Sequence, residues 1–408
     1  LGQLFFYLPF LKYLSLRTPS MTAPNVTYDF VITGFGCAGM SLVHYLLTSS
    51  LKNASILVID SSTKTVNDRT WCYWAEKPLE IHPKNSPIIH WENISIRLGN
   101  REVKKQLGGL KYFHIKSSDF YSEIKERIQE HPNVRVVRDS VCEIKENAFG
   151  QVSIITEQGT RYSGRKVFNS IPDSGFLRPE STALKQVFVG WKIKTPRACF
   201  DKSTAVMMNF LSDSNDKTDF FYLLPFSETE ALVEYTVFTT EKMDYRDMEP
   251  TLRRYIAENL GQETFEVTFQ EEGSIPMTTF AAAKSSSPHV TLLGTLAGCS
   301  KASTGYTFHT IQKHCKSIVE QLERSQESFE ASWERKRRFA FYDNIILNIA
   351  KKWPNALPGV FFNLFETNSG TEILRFLNEE SNFLGELKLL SRLKFSIFIK
   401  SLLHYEKH

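Results

Sequence analysis

From Tyr28 the chain changes its hydrophobic rhythm in an ordered way. The stretch YDFVITGFGCAGMSLVHYLLTSS reads as a short β-rich run, a glycine turn and then apolar positions at helical spacing through Leu51. SILVIDSS follows as a second strand, so the pattern predicts one βαβ unit that opens a parallel sheet with a right-handed crossover. After it come the loop KTVNDRTWCYW, a polar section holding WENISIRL, and KYFHIKSSDFYSEIKERIQEH, which is expected to form a helix capped by Asp119. VRVVRDSVCEIKEN and QVSIITEQGTRYSGRKVFNSI read as a β-meander that returns to the first sheet.

Residues 187–275 differ, because VFVGWKI, TAVMMNF, DFFYLLPF, EALVEYTVF and ETFEVTFQEEGSI are spaced like strands of an antiparallel sheet. HVTLLGTLAGCSKASTGYTFHTIQKHCKSIVEQLE then offers a strand, a glycine-containing turn and a helix that rejoin the first sheet. The predicted fold class is α/β: a Rossmann-type dinucleotide-binding domain, a second, mainly antiparallel β-sheet substrate domain, and a helical C-terminal region. The expected partition is 28–185 plus 286–325 for the nucleotide domain, 186–285 for the second domain and 326–408 for the helical region. Residues 1–20 precede the first methionine, Met21, and are read as translated upstream sequence or a cloning scar, with a signal peptide as the rival reading.

At 408 residues the chain exceeds what one simple core accommodates, which agrees with two packed domains. Its 31 Phe, 15 Tyr and 6 Trp are an excess that either fills cores or lines a cavity for a long apolar ligand. A formal charge of +4, spread along the chain, gives no basis for a nucleic-acid partner. The six cysteines have no CxxC pair and no zinc spacing, so reduced thiols in a cytoplasmic setting and no metal are expected. No apolar run reaches the ~18 residues that a spanning helix requires.

Gly34, Gly36 and Gly39 form G-x-G-x-x-G directly after a strand and at the head of a helix. The first allows the tight turn, the second lets a pyrophosphate approach the backbone, and the third lets helix and strand pack closely. The helix N-terminus offers free N–H groups to phosphate, and Asp60 ends the next strand where a carboxylate would accept bonds from ribose hydroxyls. FAD is expected rather than NAD because Leu293–Gly298, with Gly294 and Gly298, and then Ser303, Thr304 and Gly305 fit a late strand-turn-helix that meets a flavin. Gly305 is expected to bring N–H groups of the next helix near the flavin pyrimidine edge. Thr295 stands where such late motifs usually carry an acid.

Taken in order, YDFVITGFGCAGM, NDRTWCYW, QVFVGWKI, FYLLPFS, ALVEYTVF, GSIPMT and GTLAGCSKASTGYTF resemble the bacterial, flavin-dependent lycopene β-cyclases of carotenoid biosynthesis. The resemblance runs from about residue 28 to 310. It implies acid-catalysed, non-redox closure of the acyclic ends of lycopene, or a related acyclic carotenoid, into β-ionone rings, giving β-carotene through γ-carotene. It also implies reduced FAD, with NADPH or NADH as reductant. The family's catalytic acid falls on Glu234, whereas the usual second acid of that motif is replaced by Tyr235. Arg69 and Trp71 fall in the cofactor-proximal loop, where Arg69 contacts flavin or phosphate or else sits in a surface ion pair.

Along that strand Leu232, Thr236 and Phe238 share the face of Glu234, while Ala231, Val233, Tyr235 and Val237 form the other. Both faces look buried, and burial favours a protonated donor. Tyr222, Phe226 and Trp191 are candidates for cation–π stabilisation. Residues 383–408 read as a basic amphipathic helix, which either lies on a membrane, making the protein cytoplasmic and peripheral, or packs on its own core. Two rival functions keep the same fold: an FAD-dependent monooxygenase or prenyl/carotenoid reductase, and a non-enzymatic carotenoid-binding flavoprotein.

Overall fold

The computed structural model describes residues 26–172, 183–211, 217–279, 287–324 and 335–408; residues 1–20 and 326–334 lie outside them. The first sheet runs Val134–Arg138, Ile56–Asp60, Thr27–Thr33, Arg161–Asn169, Val152–Thr156, Val141–Glu146, with Val290–Leu292 also paired to Arg161–Asn169. Its first four strands and Val290–Leu292 are parallel, and the meander adds the antiparallel edge. Such a sheet must be covered on both faces. Phe30, Ile32, Ile56, Val58 and Phe168 pack beneath the helices Cys37–Leu47 and Phe308–Arg324, while Val31, Leu57, Ile59 and Val167 cluster with Val152 and Ile154. The two helices are joined by a bond from Gln312 Nε2 to Ser41 Oγ at 3.0 Å.

The second sheet runs Glu266–Pro276, Lys185–Lys194, Glu230–Thr239, Thr218–Pro225, Thr204–Phe210, Asn93–Leu98, Arg101–Gln106. All its pairings are antiparallel except Thr204–Phe210 with Asn93–Leu98. The WENISIRL segment, which reads as polar, supplies that parallel neighbour because Ile94 and Ile96 alternate inward and are fully buried. One face is covered by the helix Tyr245–Asn259, whose Met248, Leu252, Tyr255 and Ile256 meet Val189, Trp191, Val233 and Tyr235. The other face packs Leu232, Phe238, Phe220 and Phe210 against Phe361, Phe365 and Leu374 of the C-terminal helices.

Two local expectations are corrected. Lys111–Lys116 is a strand paired with Thr70–Ala75 and Ile89–Trp91 in a small third sheet, and the helix begins only at Ser117. Asp119 therefore lies in the first turn of that helix and does not cap it; the side-chain oxygen of Ser117 instead accepts from the Asp68 and Arg69 N–H groups at 2.9 and 3.0 Å. Residues 383–408 also do not form one helix. They make Phe383–Leu390 and Phe395–Leu403, because four residues with Leu393 turned into the core separate them. One side of this pair is anchored by Arg338–Glu386 and by Asn348 Nδ2 bonds to Ser401, while Leu384, Leu387, Phe395, Ile399, Leu402 and Leu403 face outward. Among the described residues no helix is long and apolar enough to cross a membrane.

Candidate active site

The glycine turn is built by three glycines with different tasks. Gly34 sits at φ +90° and its N–H donates to Ile59 O at 2.9 Å, and any Cβ there would strike Ser170 Oγ at 2.2 Å. A Cβ on Gly39 would meet Gly34 O at 2.0 Å, so this glycine lets the helix close down on the turn. Gly36 is the opposite case. Nothing lies within 4 Å of its missing Cβ, and it opens onto a cavity of about 440 Å³ at the start of the uncapped helix Cys37–Leu47. The free N–H groups of that first turn and the open side of Gly36 together leave a cradle that could hold a dinucleotide pyrophosphate. Asp60 holds the turn in place, accepting from Phe35 N at 2.5 Å and from Ser62 N at 2.7 Å.

The late motif reaches the same cavity. Gly294 sits at φ +62°, where an added Cβ would lie 3.0 Å from Ala38 Cβ, and Gly298 ends the 3₁₀ turn Gly294–Ala297 at φ +75°. Gly294 packs on the first helix and Gly298 gives the turn its left-handed end; neither is among the cavity-lining residues. Thr295, Thr304 and Gly305 do line the cavity. The Gly305 N–H donates to Lys301 O at 2.8 Å, so this group is spent inside the turn. Instead Thr304 Oγ1 and Gln186 Oε1, both buried at the cavity wall, have no hydrogen-bond partner among the described residues. Orphaned polar atoms facing a cavity fit a polar ligand that supplies the missing bonds.

The NDRTWCYW loop closes one side. Arg69 lines the cavity and donates to Asp68 O at 2.8 Å and Glu272 O at 3.1 Å, with no salt bridge among the described residues. Trp71 is stacked on Phe308 with ring centres 5.8 Å apart.

Opposite, the second sheet presents a row of side chains fixed by register. Glu234 faces Gly190 on one neighbouring strand and Tyr222 on the other, and Gly190 in turn faces Glu271. All but Gly190 line the cavity. With no Cβ at position 190, the two glutamates share the space above it: a Cβ there would lie 3.3 Å from Glu271 Cγ and 3.4 Å from Glu234 Cβ. Glu234 Oε1 accepts from Thr236 Oγ1 at 2.8 Å. Glu271 Oε2 accepts from Thr70 N at 2.8 Å, whereas its Oε1 is buried without a partner among the described residues.

Burial pushes the Glu234 carboxyl well above the usual carboxylate range, and repulsion from Glu271 adds to it against the Thr236 bond. Burial also raises Glu271, but the Thr70 bonds and the Arg69 charge pull back toward the anion. Of the two, Glu271 is the one with a backbone N–H donor that favours its anion.

The other aromatic candidates fall elsewhere. Trp191 lies on the opposite face of the sheet beneath Arg253, whose guanidinium is 5.0 Å from its ring, because residue 191 is one step out of phase with Gly190. Phe226 follows the end of its strand and packs on His114 and Trp91. Tyr235 likewise points away from the cavity and donates to Asp219 Oδ2 at 2.7 Å. The acid position that this chain lacks at 235 is thus on the wrong face to join Glu234. Glu271 joins it instead, and sequence reasoning missed it. A signal existed: along Phe269, Glu271, Gly273 and Ile275 every second residue turns inward, and Glu271 is the charged member of that series.

A family model described as lycopene cyclase protein matches residues 29–403. No curated protein matches the chain. Among solved structures, a geranylgeranyl bacteriochlorophyll reductase-like protein from Thermoplasma acidophilum is similar, with TM-score 0.61 and 13% identity, covering 92% of this chain and 98% of that one. A variant of HpxO from Klebsiella pneumoniae, complexed with FAD, gives TM-score 0.59 and 11% identity over 86% and 98% of the two chains. The p-nitrophenol 4-monooxygenase PnpA from Pseudomonas putida gives TM-score 0.52 and 13% identity over 92% and 97%. At such identities these likenesses establish the fold alone, while the family match spans the glycine turn, the Glu234 strand and the late glycine motif. The chain belongs to the lycopene cyclase family.

Proposed function

We propose that this protein is a lycopene β-cyclase that closes the acyclic ends of lycopene, or a related acyclic carotenoid, without net oxidation or reduction. The observation that carries the reading is Glu234: a buried carboxyl with a raised proton affinity lines the same cavity as the open glycine of the dinucleotide turn. Gly36 and the first turn of its helix would hold the pyrophosphate of FAD, Asp60 the ribose, and Arg69, Thr304 and the turn at Gly305 the flavin end. FAD in its reduced form, maintained by NADPH or NADH, supplies electron density that stabilises positive charge in a dry pocket.

The remaining work falls to side chains of this chain. Glu234 donates its proton to the terminal double bond, and burial keeps that proton in place at neutral pH. Tyr222, opposite Glu234 in the row, offers its ring face to the nascent cation. Lycopene resides in membrane, and we place the enzyme at its surface. The outward Leu384, Leu387, Phe395, Ile399, Leu402 and Leu403 sit among exposed Lys388, Lys394, Lys400 and Lys407, a composition suited to an anionic lipid surface.

The test is anaerobic turnover of lycopene with chemically reduced FAD, no nicotinamide and deuterated water. Wild type is expected to form β-ionone rings carrying deuterium with no net use of reductant, and Glu234→Gln to keep its flavin yet lose about 10²–10⁴-fold in rate. One reductant consumed per ring would replace this reading by a redox flavoenzyme, which the fold shared with a monooxygenase and a reductase-like protein also accommodates.

A further inference from the structure

Ring closure needs a base as well as an acid, and the row across the second sheet contains a carboxyl that the proton donation leaves unused. We propose that Glu271 is that base: it removes the ring proton whose loss creates the β-ring double bond. The proposal rests on the cyclase reading and extends it to a residue outside the Glu234 motif.

The chemistry restricts where such a base can stand. The Glu234 O–H bond breaks as a C–H bond forms at the inner carbon of the terminal alkene, leaving a tertiary cation. The next double bond of the chain attacks it, so a C–C bond closes the ring and the charge moves to the methyl-bearing ring carbon. Loss of a proton from the ring carbon that carries the polyene forms the ring double bond. One proton enters and one leaves, with no electron gained or lost. The carbon that receives the proton and the carbon that loses it flank the same gem-dimethyl carbon. A donor and an acceptor that stand side by side on one wall of the cavity can therefore serve both carbons.

Glu271 meets that requirement through Gly190, which lets it share space with Glu234 where any larger residue would separate them. Its Oε2 is anchored by Thr70 N, and its partnerless Oε1 is buried at the cavity. The anchoring also sets the division of labour. A backbone N–H on Glu271 stabilises its anion, whereas Glu234 has only the Thr236 hydroxyl. After each ring Glu271 gives up its proton to solvent and Glu234 takes one from solvent, so rings formed in deuterated water carry deuterium.

The regiochemistry of the product tests this directly, because the same cation can lose its proton from the ring methylene or from the methyl group when the proper base is missing. The flavin-loaded full chain is compared as wild type, Glu271→Gln, Glu271→Asp and Glu234→Gln, with flavin content measured for each. Glu271→Gln is expected to lower β-ring formation by about 10²-fold or more and to divert residual product to rings with displaced or exocyclic double bonds. Its alkaline activity limb should fall at lower pH than in wild type, since Glu234 loses a like-charged neighbour. Infrared titration of the resting protein should show the buried protonated carboxyl lost at that same lower pH.

Glu271→Asp, which keeps the charge but retracts it, is expected to give β-rings at an intermediate rate, and it decides the matter if Glu271→Gln fails to load flavin. β-Rings alone from Glu271→Gln, at wild-type rate and pH profile, would overturn the proposal, as would an unchanged rate and profile in Glu271→Asp. Should Glu234→Gln remain active, or wild type form no rings, it is the cyclase reading that falls.

Discussion

The glycine turn and the carboxyl row sit on opposite walls of one cavity and are built in opposite ways. In the turn, the three glycines lie within six positions, Gly34 to Gly39, and each answers a local demand: a positive φ, an open approach, a close helix. In the row, Glu271, Gly190, Glu234 and Tyr222 come from four strands and are neighbours only because of strand register. A one-residue slip would turn each of them to the helix-covered face. The comparison shows how cofactor affinity can be written locally while proton chemistry depends on the whole sheet.

The largest expected effect breaks the turn and spares the row. Gly36→Val would fill the open side of the cradle, so flavin binding should be abolished while the fold persists. Flavin absorbance and the circular dichroism of the purified protein check this, and normal flavin content would refute the cradle. Next in size is damage to the row alone. Gly190→Val inserts branches where Glu234 and Glu271 already lie 3.3–3.4 Å from an ideal Cβ. Flavin content should hold while β-ring formation drops by about 10–100-fold, a loss in the range of misplaced acid–base groups.

A smaller effect appears in stability against pH. Both carboxyls hold their protons more tightly in the folded chain than in the unfolded one, so the stability they contribute is present below the ordinary carboxylate range near pH ~4 and is lost as pH rises through their raised values. Glu271→Gln removes one such group and relieves the other. Thermal midpoints should match wild type at pH ~4 and exceed it by a few degrees at pH ~8. The smallest effect is expected at Trp191→Phe. This ring lies behind the sheet, so turnover should stay within about 2-fold of wild type while the melting temperature drops. A large loss of turnover would mean that both faces of the sheet serve the chemistry.

What was legible in the sequence followed the range of the interactions. The glycine turn, its flanking strands and the helix Cys37–Leu47 were readable because turn sterics and helical periodicity act over a few residues. The alternation around Glu234 was readable too, since strand period is local. Other assignments depended on partners far away. Lys111–Lys116 carries a pattern that fits the start of a helix, yet pairing with Thr70–Ala75 and Ile89–Trp91 makes it a strand. The tail at 383–408 has helical spacing throughout, but burying Leu389 and Leu393 against the core breaks it into two helices.

The sequence by itself determined that a dinucleotide turn exists, that Glu234 lies on a strand buried on both faces, and that the chain resembles one enzyme family. Only the tertiary structure decided that Trp191, Phe226 and Tyr235 stand outside the cavity and that Glu271 stands inside it. The physical reason is that a strand fixes which residues share its face but carries no information about its neighbour's register. That register is chosen by burial on both sides of the whole sheet, and it is what brings two carboxyls from positions 37 residues apart to either side of one glycine.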